Sequence, residues 1–219
     1  MTLQPVRVLL ALSPPGATTD YVDQVVRYLP TSVKVVYFTW LRAFVTRYDV
    51  LHLHWPEQLM RGNGALGTAA NRLLFLALIS RARLGRVAIV RTMHNLSPHE
   101  PGDRVEAWLF RMLRRSTALT IRLNPSTPAD DLGRHVLIPI GDYREAYAGY
   151  EREAVVPGRL TFFGAIRDYK GIEGLISAFR ALEDPSASLR IVGRPSSPHW
   201  HRLVSDACEA DSRVTARLE

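Results

Sequence analysis

The chain has 219 residues, 47% of them hydrophobic, which is enough apolar material for one large globular domain or for one and a half ordinary ones. Its net charge is +7, and the whole basic excess lies in residues 1–150, which carry 18 basic and 11 acidic residues, whereas residues 151–219 carry 10 of each. The only cysteine, Cys208, excludes an internal disulfide framework and is typical of a reducing compartment.

The N-terminal third alternates between apolar runs and polar breaks. Residues 6–12 form an apolar run that is too short to span a membrane and lacks the cleavage pattern of a signal peptide, so we interpret it as a strand. Ser13-Pro14-Pro15-Gly16 ends this strand ahead of an amphipathic helix over 18–29. Residues 33–38 and 50–54 are further predicted strands, and the alternation indicates an α/β region.

Two histidines lie on the strand over 50–54. His52 and His54 are two residues apart and therefore lie on the same face, but no third ligand is placed beside them, so we predict no metal site. His54, Trp55 and Glu57 come just past the strand end, where they would line an acceptor site. The alternative is local packing of an aromatic corner.

Basic residues are concentrated between 61 and 122, with 11 basic and three acidic residues. The densely apolar helix over 68–84 is expected to be buried against a sheet; alternatively, its basic end, Arg81, Arg83 and Arg86, rests on anionic lipid. The span has no regularly interleaved aromatic residues and no known binding motif, so we predict no nucleic-acid partner. The amphipathic helix over 102–115 has a predicted apolar side of Val105, Trp108, Leu109, Met112 and Leu113.

The strand over 87–93 runs directly into His94, and His99 and Glu100 follow shortly after. A histidine that follows a buried parallel strand lies at the sheet edge where sites form, and it can donate or accept a proton near neutral pH. We therefore predict a site role for His94, and we name His99 and Glu100 as secondary candidates. The alternative for His94 is helix capping or packing.

The stretch from 160 to 195 is one βαβ unit. A strand over 160–163 ends at Gly164, a helix follows over 172–182, and a second strand covers 189–192. Arg167 and Lys170 lie between the first strand and the helix, where parallel sheets bind anions beside the positive end of a helix dipole. The alternative is that both are solvated loop charges.

The sequence FFGAIRDYKGIEGLISAF followed by LRIVGRP resembles the start of the nucleotide-sugar-binding domain of GT-B glycosyltransferases, particularly the mostly retaining family of bacterial mannosyl- and glucosyltransferases. RTMHNLSPHE resembles a segment of the polysaccharide-assembly branch. The resemblance implies that Lys170 holds the donor diphosphate beside the Gly164 turn, with Arg167 in place of an arginine that the family has where this chain has Ala165. It also implies that His94 lies next to the transferred sugar and that Gly16 lies in a loop facing the cleft.

The resemblance implies a GT-B fold of two Rossmann-like parallel-sheet domains, with residues 1–155 forming the acceptor side and 156–219 forming the first half of the donor domain. The implied reaction is hexose transfer from a nucleotide diphosphate sugar to a saccharide or lipid-linked saccharide, without a metal cofactor. The implied location is cytoplasmic, peripheral at the inner face of the membrane. The alternatives are a catalytically incomplete fragment, a subunit that needs a second chain to complete its donor domain, or a basic protein that binds nucleic acid through the arginine-rich span 61–122.

Overall fold

The structure is a computed structural model that describes residues 4–14, 20–96, 101–128, 133–145, 147–151 and 154–219. The chain divides into two compact units, Met1–Gly149 and Tyr150–Glu219, and each unit has its own parallel sheet. The division falls slightly before residue 155, the boundary that the sequence predicts.

Six parallel strands form the sheet of the first unit. They are β1 (Val6–Leu10), β2 (Val33–Tyr37), β3 (Val50–Leu53), β4 (Ala88–Met93), β5 (Thr117–Arg122) and β6 (Arg134–Leu137). Their order across the sheet is β2-β1-β3-β4-β5-β6, and every pairing is parallel. The segments that follow the six strands therefore start from the same edge of the sheet.

Five helices connect these strands: α1 (Asp20–Arg27), α2 (Trp40–Val45), α3 (Pro56–Met60), α4 (Gly64–Leu84) and α5 (Arg104–Ser116). The sequence analysis predicts α1, α4 and α5, but it misses α2 and α3, which are too short to show a helical period. Among the helices that the structure describes, none is both long enough and apolar enough to cross a bilayer.

The main core lies on one face of this sheet. Leu51 and Leu53 of β3 point into it, as the two-residue period of a strand requires. α2, α4 and α5 cover this face, and the buried side of α4 confirms the prediction that this helix packs against the sheet. The fully buried side chains of α4 and α5 in this core are Phe75, Leu78, Ile79, Ala82, Leu109 and Leu113.

The buried side of α5 differs from the predicted one. Val105 and Trp108 are 49% and 46% exposed, whereas Glu106 is 2% exposed. The carboxylate of Glu106 accepts two hydrogen bonds from the Arg61 guanidinium, at 3.0 and 2.8 Å, and lies 3.9 Å from Arg72. This ion pairing keeps an acidic residue buried beside Leu109, so the prediction that Val105 and Trp108 pack in the core is wrong.

The second unit confirms the predicted βαβ pattern, and also the helix over 198–210 and the strand over 214–218 that the sequence predicts after it. Its elements are β7 (Arg159–Phe163), α6 (Ile172–Arg180), β8 (Ser188–Gly193), α7 (Pro198–Ala210) and β9 (Val214–Leu218). The strands pair in parallel in the order β7-β8-β9. A separate core, which includes Phe179, Ile191 and Trp200, holds the helices against this sheet.

Candidate functional site

Two neighbouring parallel strands of the first unit bring histidines together. β3 carries His52 and is followed by His54, and β4 is followed by His94. Because β3 and β4 pair in register, with Leu53 opposite Arg91, the residues beyond their ends are neighbours. Nδ1 of His54 lies 3.1 Å from Nε2 of His94, within hydrogen-bond distance.

Two aromatic side chains enclose this pair. The indole of Trp55 stacks on the imidazole of His94 with ring centroids 4.1 Å apart. Tyr21 of α1 meets the His94 ring edge-on at 5.0 Å, and its hydroxyl lies 3.5 Å from Nδ1 of His54. We call His52, His54, His94, Tyr21 and Trp55 the histidine cluster.

Burial keeps the ionisable groups of the histidine cluster uncharged at neutral pH. It lowers the pKa of His52 and of His94 to about 4. Burial, reinforced by the two neighbouring histidines, lowers the pKa of His54 to about 2. Burial also raises the pKa of Tyr21 to about 12. The cluster can therefore donate and accept hydrogen bonds near pH 7 without carrying charge.

The hydrogen bonds of His54 favour one tautomer of His94. His54 is 3% exposed, and its Nε2 is buried with no partner among the described residues. Because a buried N–H without a partner is rarer than a buried acceptor without one, the proton of His54 belongs on Nδ1, where it is donated to Nε2 of His94. His94 then carries its own proton on Nδ1.

A small recess beside the histidine cluster is lined by three of the predicted site residues. His54, Glu57 and His94 all line it, together with Arg91 and Phe110. The remaining candidates of this half, Gly16, His99 and Glu100, lie outside the described residues.

His52 and His54 lie close together, with ring centroids 4.4 Å apart. His52 uses its Nε2 in a 2.8 Å contact with the Thr92 hydroxyl. Within the part of the chain that the structure describes, no group of three or more histidine, cysteine, aspartate or glutamate side chains could hold a metal ion.

In the second unit, Gly164 follows β7 with φ of 117°, in a region of backbone conformation that favours glycine. The end of β8 approaches this turn closely, because a side chain at Gly193 would collide with the backbone carbonyl of Gly164. Glycine at positions 164 and 193 thus allows the backbone of the turn to lie in close contact with the end of β8.

The predicted cations follow in the same turn. A short 3₁₀ helix, Asp168–Lys170, leads into α6, and Lys170 donates its backbone N–H to the carbonyl of Arg167 at 2.9 Å. The side chains of Arg167 and Lys170 are exposed. Trp200 of α7 donates its indole N–H to Asp168 at 2.8 Å, which fixes the turn to the core of this unit. Gly164, Arg167 and Lys170 are therefore in one turn before the N-terminus of α6.

A third exposed cation, Arg194, lies at the same sheet edge. It follows β8, and its backbone carbonyl accepts from the N–H of Ile166 at 2.9 Å, which places it beside the turn that carries Arg167. Sequence reasoning did not select Arg194. Its signal was its place directly after a predicted strand that pairs with β7.

No family model matches the chain. Over 214 residues it is 40% identical to two proteins of Xanthomonas campestris pv. campestris, each described as a GDP-mannose:glycolipid 4-beta-D-mannosyltransferase. The match covers 97% of this chain and 61% of each relative, so the chain spans less than two thirds of their length. Over nearly its whole length, the chain is therefore a homologue of part of these two proteins.

A solved structure supports the fold of this chain. The crystal structure of Anabaena Alr3699/HepE in complex with UDP and glucose matches with a TM-score of 0.54 and 12% identity, covering 99% of this chain and 69% of that one. The predicted GT-B fold with parallel sheets is confirmed, and the relatives are glycosyltransferases, the class of enzyme that the resemblance implies. The roles of individual site residues and of the two units stay predictions.

Proposed function

We propose that the chain is part of a mannosyltransferase that moves mannose from GDP-mannose to the sugar of a glycolipid. The proposal takes the donor and acceptor classes from the relatives that are 40% identical to the chain. The observation that carries it is the turn between β7 and α6, where Arg167 and Lys170 are exposed before a helix N-terminus. That arrangement suits the diphosphate of a nucleotide sugar.

In this proposal the second unit holds the donor. Negative charge grows on the diphosphate as its bond to the sugar breaks, and nearby cations stabilise that charge more in the transition state than in the ground state. Lys170 and Arg167 supply this charge, and Arg194 adds to it from the end of β8. Gly171, the residue before α6, has no side chain to cap the helix, so the first N–H groups of α6 can face a phosphate.

The first unit then binds the acceptor at the histidine cluster. With a pKa of about 4, His94 is neutral near pH 7 and is a weak base. We therefore assign His94 to hydrogen bonding with a sugar hydroxyl through its Nδ1–H, rather than to taking up a proton. Glu57 lies in the same recess and is a candidate for a second contact with the acceptor.

The proposal includes two further parts. Transfer proceeds without a bound metal ion, because the cations of the turn supply the charge that a metal would supply. The protein acts at the inner face of the cell membrane, where an anionic bilayer presents the glycolipid.

The donor assignment is tested by calorimetric titration with GDP and with UDP at one fixed salt concentration. A charge-assisted contact contributes about 1.5 kcal/mol at the lower end of its range, so Lys170→Ala should weaken nucleotide binding about tenfold. Arg167→Ala and Arg194→Ala should weaken it less. Since Lys170 is an exposed turn residue, the melting temperature should barely change.

Lys34 provides the matched control, because it is an exposed lysine on β2 of the other unit. Lys34→Ala should bind GDP as the wild type does. If Lys170→Ala binds GDP as tightly as the wild type, the donor assignment is wrong.

A further inference from the structure

An apolar groove of about 920 Å³ lies in the first unit between α1 and the segment that follows β6. Val25 of α1 and Leu29, which follows this helix, form one wall, and Ile138 and Ile140 form the other. Ile121 and Leu123, at the end of β5, lie between the walls. We call this cavity the α1 groove.

The α1 groove lies on the face of the sheet that is opposite the main core. Leu51 and Leu53 point into the core, whereas His52 between them lines the groove, as the alternation of side chains along a strand requires. Ile138 and Ile140 are each nearly half exposed, so apolar surface is open to a ligand. Apolar side chains arranged in this way along a concave surface are typical of a binding site rather than of scattered surface residues.

Hydrogen bonds hold the two walls of the groove together. Gln24 of α1 donates its side-chain amide to the backbone carbonyl of Asp142. Directly after the end of α1, the hydroxyl of Tyr28 donates to the carboxylate of Glu145 at 2.6 Å. The groove is therefore formed before any ligand arrives, which lowers the entropic cost of binding.

One end of the groove is polar and meets the candidate site. Tyr21, His52 and Thr92 line this end, and Thr92 also lines the recess that contains His94. The groove and the recess are thus neighbours that share Thr92 as a wall residue. A ligand with a polar group at Thr92 and an apolar chain along Ile121 and Ile138 would match this gradient.

The charges of the groove exclude an anionic occupant. Among the described residues that line it, Asp23, Asp142 and Glu145 are acidic, and Arg27 is the basic one. Arg27 already lies 3.5 Å from Glu145. A nucleotide diphosphate would therefore be repelled, whereas an uncharged chain would not.

We propose that the α1 groove binds the hydrocarbon chain of the acceptor, with the sugar hydroxyls at its Thr92 end. The inference rests on the proposed function for the class of acceptor, a glycolipid. The cavity volume lies within the range of about 300 to 1,000 Å³ that is usual for sites of drug-sized ligands. A chain bound here would orient the sugar next to His94.

The test uses hexyl, heptyl and octyl β-D-glucoside as probes, each below its micellar concentration, with free glucose as the reference. Calorimetric titration of the full chain needs neither donor nor transfer. Because burying one methylene group contributes about 0.8 kcal/mol, the affinity should rise about fourfold with each added carbon. The double variant Ile138→Gln, Ile140→Gln should lose most of this dependence on chain length.

The double variant Leu73→Gln, Leu84→Gln is the matched control, because both leucines are exposed apolar residues on α4, outside the groove. It should retain the chain-length dependence of the wild type. An affinity that does not change with chain length, or an equal loss in both double variants, would overturn the proposal. So would a dimer of the wild type that Ile138→Gln, Ile140→Gln converts to a monomer, because the groove would then be an interface between two copies.

The result separates this inference from the proposed function. If the glucosides bind as expected but the chain does not bind GDP, the groove is confirmed and the donor assignment fails. If GDP binds through Lys170 but the glucosides show no dependence on chain length, the groove assignment alone is wrong.

Discussion

The position of His54 explains how His94 can be kept in one orientation. One nitrogen of His54 contacts His94 at 3.1 Å, and the other is buried. Such a buried hydrogen bond selects the tautomer of its partner. The groups that accept a hydrogen bond from a metal-binding histidine fix its tautomer in the same way. His54 is therefore assigned as a positioning residue for His94.

The first prediction concerns this tautomer. In the wild type, ¹⁵N NMR of the imidazoles should show His94 protonated on Nδ1. His54→Leu removes the donor to Nε2, so the His94 signals should shift toward the Nε2–H form that dominates in water. If the chain acts in the mannosyl transfer proposed above, kcat should fall about tenfold, the equivalent of one lost hydrogen bond, with KM for the nucleotide sugar unchanged.

His199→Leu is the control for this experiment, since His199 is exposed on α7. It should leave the His94 signals unchanged. Unshifted His94 signals in His54→Leu would show that His54 has no positioning role.

The second prediction is a dependence of stability on pH. Burial holds the pKa of His52 and His94 at about 4 in the folded chain, whereas an unfolded histidine has a pKa of about 6.5. As the pH falls from about 6.5 to 4, the unfolded chain binds more protons than the folded chain, so the free energy of unfolding decreases. The urea midpoint should therefore be lower at pH 5.5 than at pH 7.5.

Two variants test whether the buried histidines cause this decrease in stability. Both pH values lie above the ordinary pKa of carboxylates, so aspartate and glutamate contribute little to the difference. His54→Leu should reduce the difference between the two midpoints, and His199→Leu should not. Equal midpoints at both pH values in the wild type would contradict the burial of these histidines.

Among the elements, α5 depends on an ion pair for its orientation. Asp103 caps its N-terminus by accepting the backbone N–H of Glu106 at 2.9 Å, and Glu106 in turn binds Arg61 beyond α3. Arg72 of α4 contacts Asp103 at 2.8 Å, so the start of α5 is bound to α4 and to the residue that follows α3.

The third prediction follows from this arrangement. Glu106→Gln leaves Arg61 and Arg72 without their buried carboxylate, and breaking a buried pair is destabilising. Because Arg61 is partly exposed, the loss in free energy of unfolding should be at the low end of the range, about 3 kcal/mol. Urea unfolding measures this loss. The exposed Glu183 supplies the control, and a loss in Glu183→Gln as large as in Glu106→Gln would contradict a specific role for the ion pair.

At the scale of the whole molecule, the structure shows which arginines of the basic excess contact other protein groups and which are exposed to solvent. Arg81 donates to the backbone carbonyl of Thr46 and lies over the ring of Tyr48, so it is not available to lipid as the sequence analysis suggested. Arg104, Arg111 and Arg115 are exposed and share one stripe of α5 with the half-exposed Trp108. Arginines around a tryptophan are typical of a helix at an anionic membrane surface.

We expect the chain to sediment with anionic vesicles, less so at high salt, and not with neutral vesicles. Replacing Arg104, Arg111 and Arg115 with glutamine should weaken this binding by about 1 kcal/mol per cation. The same change at Arg180, Arg190 and Arg202, which are exposed in the second unit, is the control and should have little effect. Equal sedimentation with both kinds of vesicle would contradict an electrostatic membrane surface.

The sequence by itself determined most of the local elements and the resemblance to GT-B glycosyltransferases. Apolar runs of strand length, the helical spacing after Gly171 and the turn around Gly164 depend on neighbouring residues, so they can be read from a single chain. The same holds for His94, whose place directly after an apolar strand puts it at the carboxyl edge of a sheet whatever the order of strands.

Only the tertiary structure decided which of these residues meet. His54 and His94 are 40 residues apart and touch because β3 pairs with β4, and Arg194 lies beside Arg167 because β8 pairs with β7. The burial of Glu106 depends on an arginine 45 residues away, which helical periodicity cannot show. The α1 groove is formed by residues from five parts of the chain. The physical reason is that strand order and helix contacts arise from long-range packing, whereas sequence patterns report each segment's own preference.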